Sequence, residues 1–395
     1  MAPAFTIETC MSQTRHIPAL TGIRAVAAGM VFFGHMLHGH LAEIPLFLQY
    51  GWTGVNVFFA LSGYLFTHLY ADKLLDGTFS WADYIKRRLI RIYPLTTLLI
   101  VIAVCSSWGT YTLENILLHI TLLQAWAPEY RLTLISPMWT LTVEESYYFC
   151  APVLIYYLSK LFQDRVHRLS STTPTQLAWR IGFLAVLVWF GTLVFANGAT
   201  KLYQSMMMYA TTYWDSEAWT FTILGRIVDF MAGMLAAAFA RYVIPTRKYS
   251  GDIIIAVGIV LFWSMISLVA LLGGPVHVGA HRLGIFAQNG IGLAAAIIIY
   301  GLHAGGAISR LLSSAPMRVL GEASFALYLI QLMPFLWWPK AGMQIQYNLQ
   351  DLGLNYYLAA IVSYVTMNVF AVSIYYSFER PLGRYLRARF IDDKE

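Results

Sequence analysis

The sequence predicts an all-α, polytopic membrane protein of about ten transmembrane helices plus one short interfacial or re-entrant helix. Three observations predict it. Of the 395 residues, 58% are hydrophobic and 12% are charged, roughly half the charge of a soluble domain. Mean hydropathy is +0.60, and apolar stretches recur at the roughly 20 residues a spanning helix needs. Aromatics reach 15%, with 25 Tyr and 12 Trp, enough to form belts at both interfaces.

The expected spans are 18–40, 52–71, 93–108, 138–158, 178–196, 220–242, 251–272, 284–303, 317–338 and 355–378. Ten spans put both termini on one side. Twenty of the 26 Lys and Arg then fall on that side and four opposite. The positive-inside rule makes that side the cytoplasm, for a multi-pass protein of the cytoplasmic (inner) membrane. Segment 112–127 begins Thr112-Leu113-Glu114 and ends before Pro128. It is short for a span, and counting it as one would invert all that follows and scramble the charge count.

The loops leave no room for a soluble domain. Residues 1–395 are expected to form a single integral-membrane domain, with 1–17 a cytoplasmic N-terminal segment and 379–395 a cytoplasmic basic tail. Residues 1–16 lack the basic-then-apolar order of a cleaved signal. The net charge of +6 sits in short loops beside apolar spans, which argues against nucleic acid as a partner and for membrane lipids. Cys10, Cys105 and Cys150 are scattered, with no disulfide framework and no metal-ligand spacing.

Chemistry-bearing residues appear span by span. In the first, Arg24 and His35 are eleven residues apart. Eleven steps of about 100° bring both to one helix face, and about 1.5 Å per residue separates them by roughly 16 Å along the axis. Ionisable groups inside a bilayer are costly unless they face partners or a wet cavity. A polar path is one reading. The other is an arginine that snorkels and a histidine packed in the core. The next segment, 51–63, is rich in small residues that let helices approach closely.

The loop that follows reads Tyr84-Ile-Lys-Arg-Arg-Leu-Ile-Arg-Ile-Tyr-Pro94. Arg88 and Arg91 share a helical face, with Lys86 and Arg87 adjacent. Guanidinium groups clamp phosphates, and they also anchor a loop at lipid headgroups. Glu144 and Glu145 open the fourth span about 100° apart, so one should face the interior. The sequence places them in the outer layer with His35, to orient an imidazole, to take a proton, or to pair with Arg226. Arg226 and Asp229, three apart, suit mutual neutralisation. His277 and His281 flank a Gly-rich loop with no third ligand near, so no metal is expected.

Together these segments resemble the acyltransferase-3 family of integral membrane O-acyltransferases. Arg24 and His35, within Leu20-Thr-Gly-Ile-Arg-Ala-Val-Ala-Ala28, match its Arg-x10-His pattern. Residues 56–64, Arg88 to Pro94, Trp139 to Tyr147, Leu320 to Gln331 and Glu379-Arg-Pro381 resemble its other motifs in order. The resemblance implies acetyl-CoA or another acyl-CoA as cytoplasmic donor, and an envelope glycan or lipid-linked saccharide as acceptor. It implies a catalytic role for His35, Arg24 on the donor path, and Arg88 and Arg91, with Arg87 adjacent, holding CoA phosphates. His35 then acts as base or acyl-accepting nucleophile, and Glu144 or Glu145 orients or discharges its imidazole. Gln331 stands where many members have His, and Ser146 where Gln is usual. No fused extracytoplasmic esterase domain is expected. The alternative is a transporter of a lipid-linked glycan.

Overall fold

The computed structural model describes residues 17–37, 45–107, 109–166, 220–242, 249–272, 282–335 and 340–391. The expected span 178–196, and His38, His40, His277 and His281, lie outside these residues. The described chain is a bundle of helices. Six of its helices are long and apolar enough to cross a membrane.

Helix α1 covers Pro18–Met36, opened by a proline whose missing N–H costs nothing in a first turn. Helix α2 is Gly54–Leu75 and runs back antiparallel. Helix α3, Trp81–Ser106, is capped by Ser80, whose hydroxyl accepts from the Asp83 N–H at 3.3 Å. It starts twelve residues before the expected 93–108, so the basic stretch belongs to the helix. Pro94 lies within it.

Segment 112–127 folds as α4, Leu113–Ile120, and a 3-10 turn at Gln124–Trp126. The chain then dips inward: Leu134, Ile135 and Met138 are buried in the core. His119, fully buried, ties this segment together, with Nδ1 2.9 Å from the Asn115 carbonyl and Nε2 3.1 Å from that of Thr133. Burial lowers its proton affinity below that of an ordinary imidazole.

Helices α5 (Trp139–Val166), α6 (Ile223–Tyr242), α7 (Ser250–Leu271) and α8 (Arg282–Ala304) follow. The expected span 317–338 is broken into α9, Ala315–Glu322, and α10, Ser324–Ile330. The Ser324 hydroxyl donates to the Gly321 carbonyl at 2.7 Å at the break. Helix α11, Tyr356–Ile374, passes through a π-helical turn at Tyr375–Glu379 into α12, Arg380–Phe390.

Small residues set the closest crossings. A Cβ on Gly233 of α6 would overlap the Ala60 carbonyl, and one on Gly63 of α2 would overlap the Phe230 carbonyl. The obstacle is backbone in both cases, so no side chain can swing away. Gly233→Ala is expected to destabilise the chain by about 1–3 kcal/mol, the usual range for overpacking. Thermal unfolding in detergent checks this, and an unshifted midpoint would mean that the two helices are free to separate.

Candidate active site

Antiparallel packing fixes the depth of each site residue. Gly54 sits against the Ala27 carbonyl and Gly51 against that of Met30. Moving down α2 from Gly54 therefore moves toward the Pro18 end of α1. Ser62 lies eight residues on, about 12 Å. Its hydroxyl donates to Glu144 Oε1 at 2.6 Å. Tyr148, four residues after Glu144 on α5, donates to the same oxygen and reaches Ser62 Oγ at 3.3 Å. Glu144 therefore lies at the depth of Arg24, not in the layer of His35. The inward dip of 134–138 starts α5 deep in the bundle and causes this departure from the sequence reading.

Two cavities share Arg24 in their walls. The narrow one, about 80 Å³, is lined by Arg24, Ser62, Arg88, Arg91, Glu144 and Tyr148, among others. The wide one, about 410 Å³, lies at the Pro18 end of α1 and shares Arg24, Leu65 and Arg91 with the first. It adds His68, Glu322 and Glu379, and from α12 Arg380, Gly383 and Arg387.

Arg24 lies within electrostatic reach of Arg91, which carries the same charge. Arg24 feels both Glu379 and Glu144, and Glu379 also feels Arg91. Arg88 lies over the Tyr148 ring at 3.8 Å and the Tyr84 ring at 5.7 Å, within electrostatic reach of Glu144. Tyr84 is itself fixed by donating to the Tyr148 carbonyl at 3.1 Å. Such stacking holds a guanidinium without neutralising it.

The structure thus brings Arg24, Arg88, Arg91 and Glu144 together. Arg88 is half-buried between tyrosines, whereas Arg91 is exposed and reaches both cavities. Arg87 is exposed and lines neither cavity. Glu145 lines neither cavity, and its Oε1 is buried without a hydrogen-bond partner. His35 is half-buried and lines neither cavity. Val55 lines the narrow cavity next to Gly54, which packs at the level of Ala27 and Val31, and His35 is four to eight residues past that level, about 6–12 Å further along α1.

A second polar cluster is sealed in the bundle. Arg226 and Asp229 are 1% and 0% exposed, with Nη1 3.8 Å from Oδ2. The Asn56 amide donates to both Asp229 oxygens at 3.2 and 3.0 Å. Arg226 Nε donates to the Thr220 carbonyl at 2.9 Å. With the Gln288 amide turned so that both groups are satisfied, its oxygen accepts from Arg226 Nη1 at 2.6 Å. Arg226 pairs here with Asp229, and Glu144 with Ser62 and Tyr148. Among the described residues, no group of three or more His, Cys, Asp or Glu could hold a metal ion.

Long apolar helices crossing at small residues define a multi-pass membrane protein with charged cavities among its helices. Residues 17–376 match the acyltransferase-3 model, described as an acyltransferase domain, and the chain belongs to that family. It is 24% identical over 344 residues to the O-acetyltransferase OatA of Staphylococcus aureus strain NCTC 8325 / PS 47, covering 81% of this chain and 50% of that protein. It is 37% identical over 79 residues to Protein 2 in the picA locus of Rhizobium radiobacter, covering 20% and 39% of the two chains. The chain spans about half the length of the staphylococcal relatives it matches. No solved structure matches it.

Proposed function

We propose that this chain is an O-acyltransferase that moves an acyl group, acetyl in the first instance, from cytoplasmic acyl-CoA to a hydroxyl of a cell-envelope or exported glycan. One observation carries the reading. Arg24 lines both the wide, arginine-lined cavity and the narrow one that holds Glu144. A thioester donor with a phosphorylated end and a slim arm suits that pair of spaces. The family and the O-acetyltransferase relatives support the same chemistry.

In this reading the wide cavity faces the cytoplasm. Arg91 meets donor phosphates at its wall, and Arg87 adds positive potential outside it. Arg24 guides the acyl-bearing arm inward, and Arg88 and Glu144 line its narrow end. His35 acts beyond, on the acceptor side, as general base or as acyl-accepting nucleophile. As a base, His35 takes the hydroxyl proton while the new C–O bond forms, and returns it to the departing sulfur. Either role requires the stretch between Val55 and His35 to open when donor binds.

CoA release from acetyl-CoA by the purified chain tests the proposal. Slow release is expected alone, and faster release with an acceptor glycan. Movement of a lipid-linked glycan across vesicles without CoA turnover would replace this reading with a transporter.

A further inference from the structure

Helix α12 supplies much of the wide cavity, although its arginines look at first like lipid anchors. It packs against α3, which brings Arg380 and Arg387 to the cavity that Arg91 also lines. Four arginines and two glutamates line that space. Among the described residues, no ion pair joins Glu322 or Glu379 to Arg380 or Arg387.

The two α12 arginines are also positioned. Arg380 lies over the Tyr376 ring at 5.3 Å. Arg387 Nε donates to the Gly383 carbonyl at 3.0 Å, and its Nη2 is 3.7 Å from where a Cβ on Gly383 would stand. Gly383 is buried and lines the cavity, so the absence of a side chain there keeps the floor open beneath the guanidinium. Arg384, exposed on the same helix, does not line the cavity. A phosphomonoester carries about −1.5 to −2 charge near neutral pH, and guanidinium pairs bind it bidentately.

We propose that Arg380 and Arg387 of α12, together with Arg91, hold the 3′-phosphorylated nucleotide end of the CoA donor. This rests on the acyl-CoA reading above and extends the donor site to the last helix. The same arginines would also suit a phospholipid headgroup, and the test separates the two sources.

The full chain is placed in nanodiscs of neutral lipid, and its affinities for CoA and for dephospho-CoA are compared. The wild type is expected to favour CoA by about tenfold, the scale of a charge-assisted contact. Arg380→Gln and Arg387→Gln should each weaken CoA binding about five- to tenfold and leave dephospho-CoA nearly unchanged. Arg384→Gln should match the wild type, and Arg380→Lys should recover part of the loss. Should the glutamine variants fold poorly, Gly383→Leu, with every charge retained, is expected to weaken both nucleotides by filling the floor.

Variants that keep the wild-type preference for CoA would overturn the proposal. So would a loss seen only with anionic lipid, which would make the ligand a headgroup. A wild type that binds neither nucleotide would remove the acyl-CoA reading itself, an outcome distinct from a wild type and variants that bind CoA equally.

Discussion

His35→Ala is expected to lower acetyl transfer by about 10³-fold, within the span that a positioned proton acceptor contributes. The same variant should bind CoA within about twofold of wild type. The second expectation follows from geometry. His35 lines neither cavity and stands about 6–12 Å beyond the level of Ala27 and Val31, beside which Val55 of the narrow cavity lies. A residue that far from the donor pocket can control the chemical step without touching donor affinity. Equilibrium CoA binding and steady-state transfer on one preparation separate the two. A variant that transfers at the wild-type rate would move the reacting centre into the narrow cavity, where Glu144 is held by Ser62 and Tyr148. A variant that loses CoA affinity as well would show that donor binding already reaches the far end of α1.

The hydrophobic pattern made the long helices legible, because each needs only an apolar run and a nearby charge to mark its end. The ninth expected span, 317–338, is divided into two helices for a local reason. The chain turns at Ala323, directly after Gly321 and Glu322, and stops being helical after Ile330, before Gln331 and Pro334. These interruptions were in the sequence, but the apolar residues around them outweighed them. The depth of Glu144 was hidden by a non-local cause. Sequence order suggested that α5 starts at the outer interface, yet residues 134–138 fold inward before it begins.

Arg24 and Arg91 were recognisable as candidates from spacing alone. Tyr148 was not, although its place four residues after Glu144 is the one signal that could have found it. Glu379 and Arg380 were legible only as part of the Glu379-Arg-Pro381 motif, without a role, and Arg387 looked like an ordinary tail charge. They reach the cavity through the π-helical turn at Tyr375–Glu379 and the packing of α12 on α3, contacts between the two ends of the chain that no local pattern encodes. π-turns of this kind commonly occur at functional positions.

Asp229→Ala is expected to cost about 3–5 kcal/mol, because it strands a buried cation. Arg226 is 1% exposed and is surrounded by Trp52 and Trp139 rings at 5.9 and 5.7 Å. The Thr220 carbonyl and Gln288 satisfy its N–H groups but supply no countercharge. The loss is therefore mainly desolvation of a charge left without its partner, and a second substitution should reverse much of it. Arg226→Met with Asp229→Leu removes both charges and keeps apolar volume, so it should be markedly more stable than Asp229→Ala alone. Thermal unfolding of the single and double variants in one detergent measures the difference. Equal destabilisation would assign the effect to lost packing around Asn56 and Gly292, which also touch Asp229, and not to the ion pair. If instead the double variant is stable yet transfers nothing, the pair has a role in the reaction beyond holding α2, α6 and α8 together.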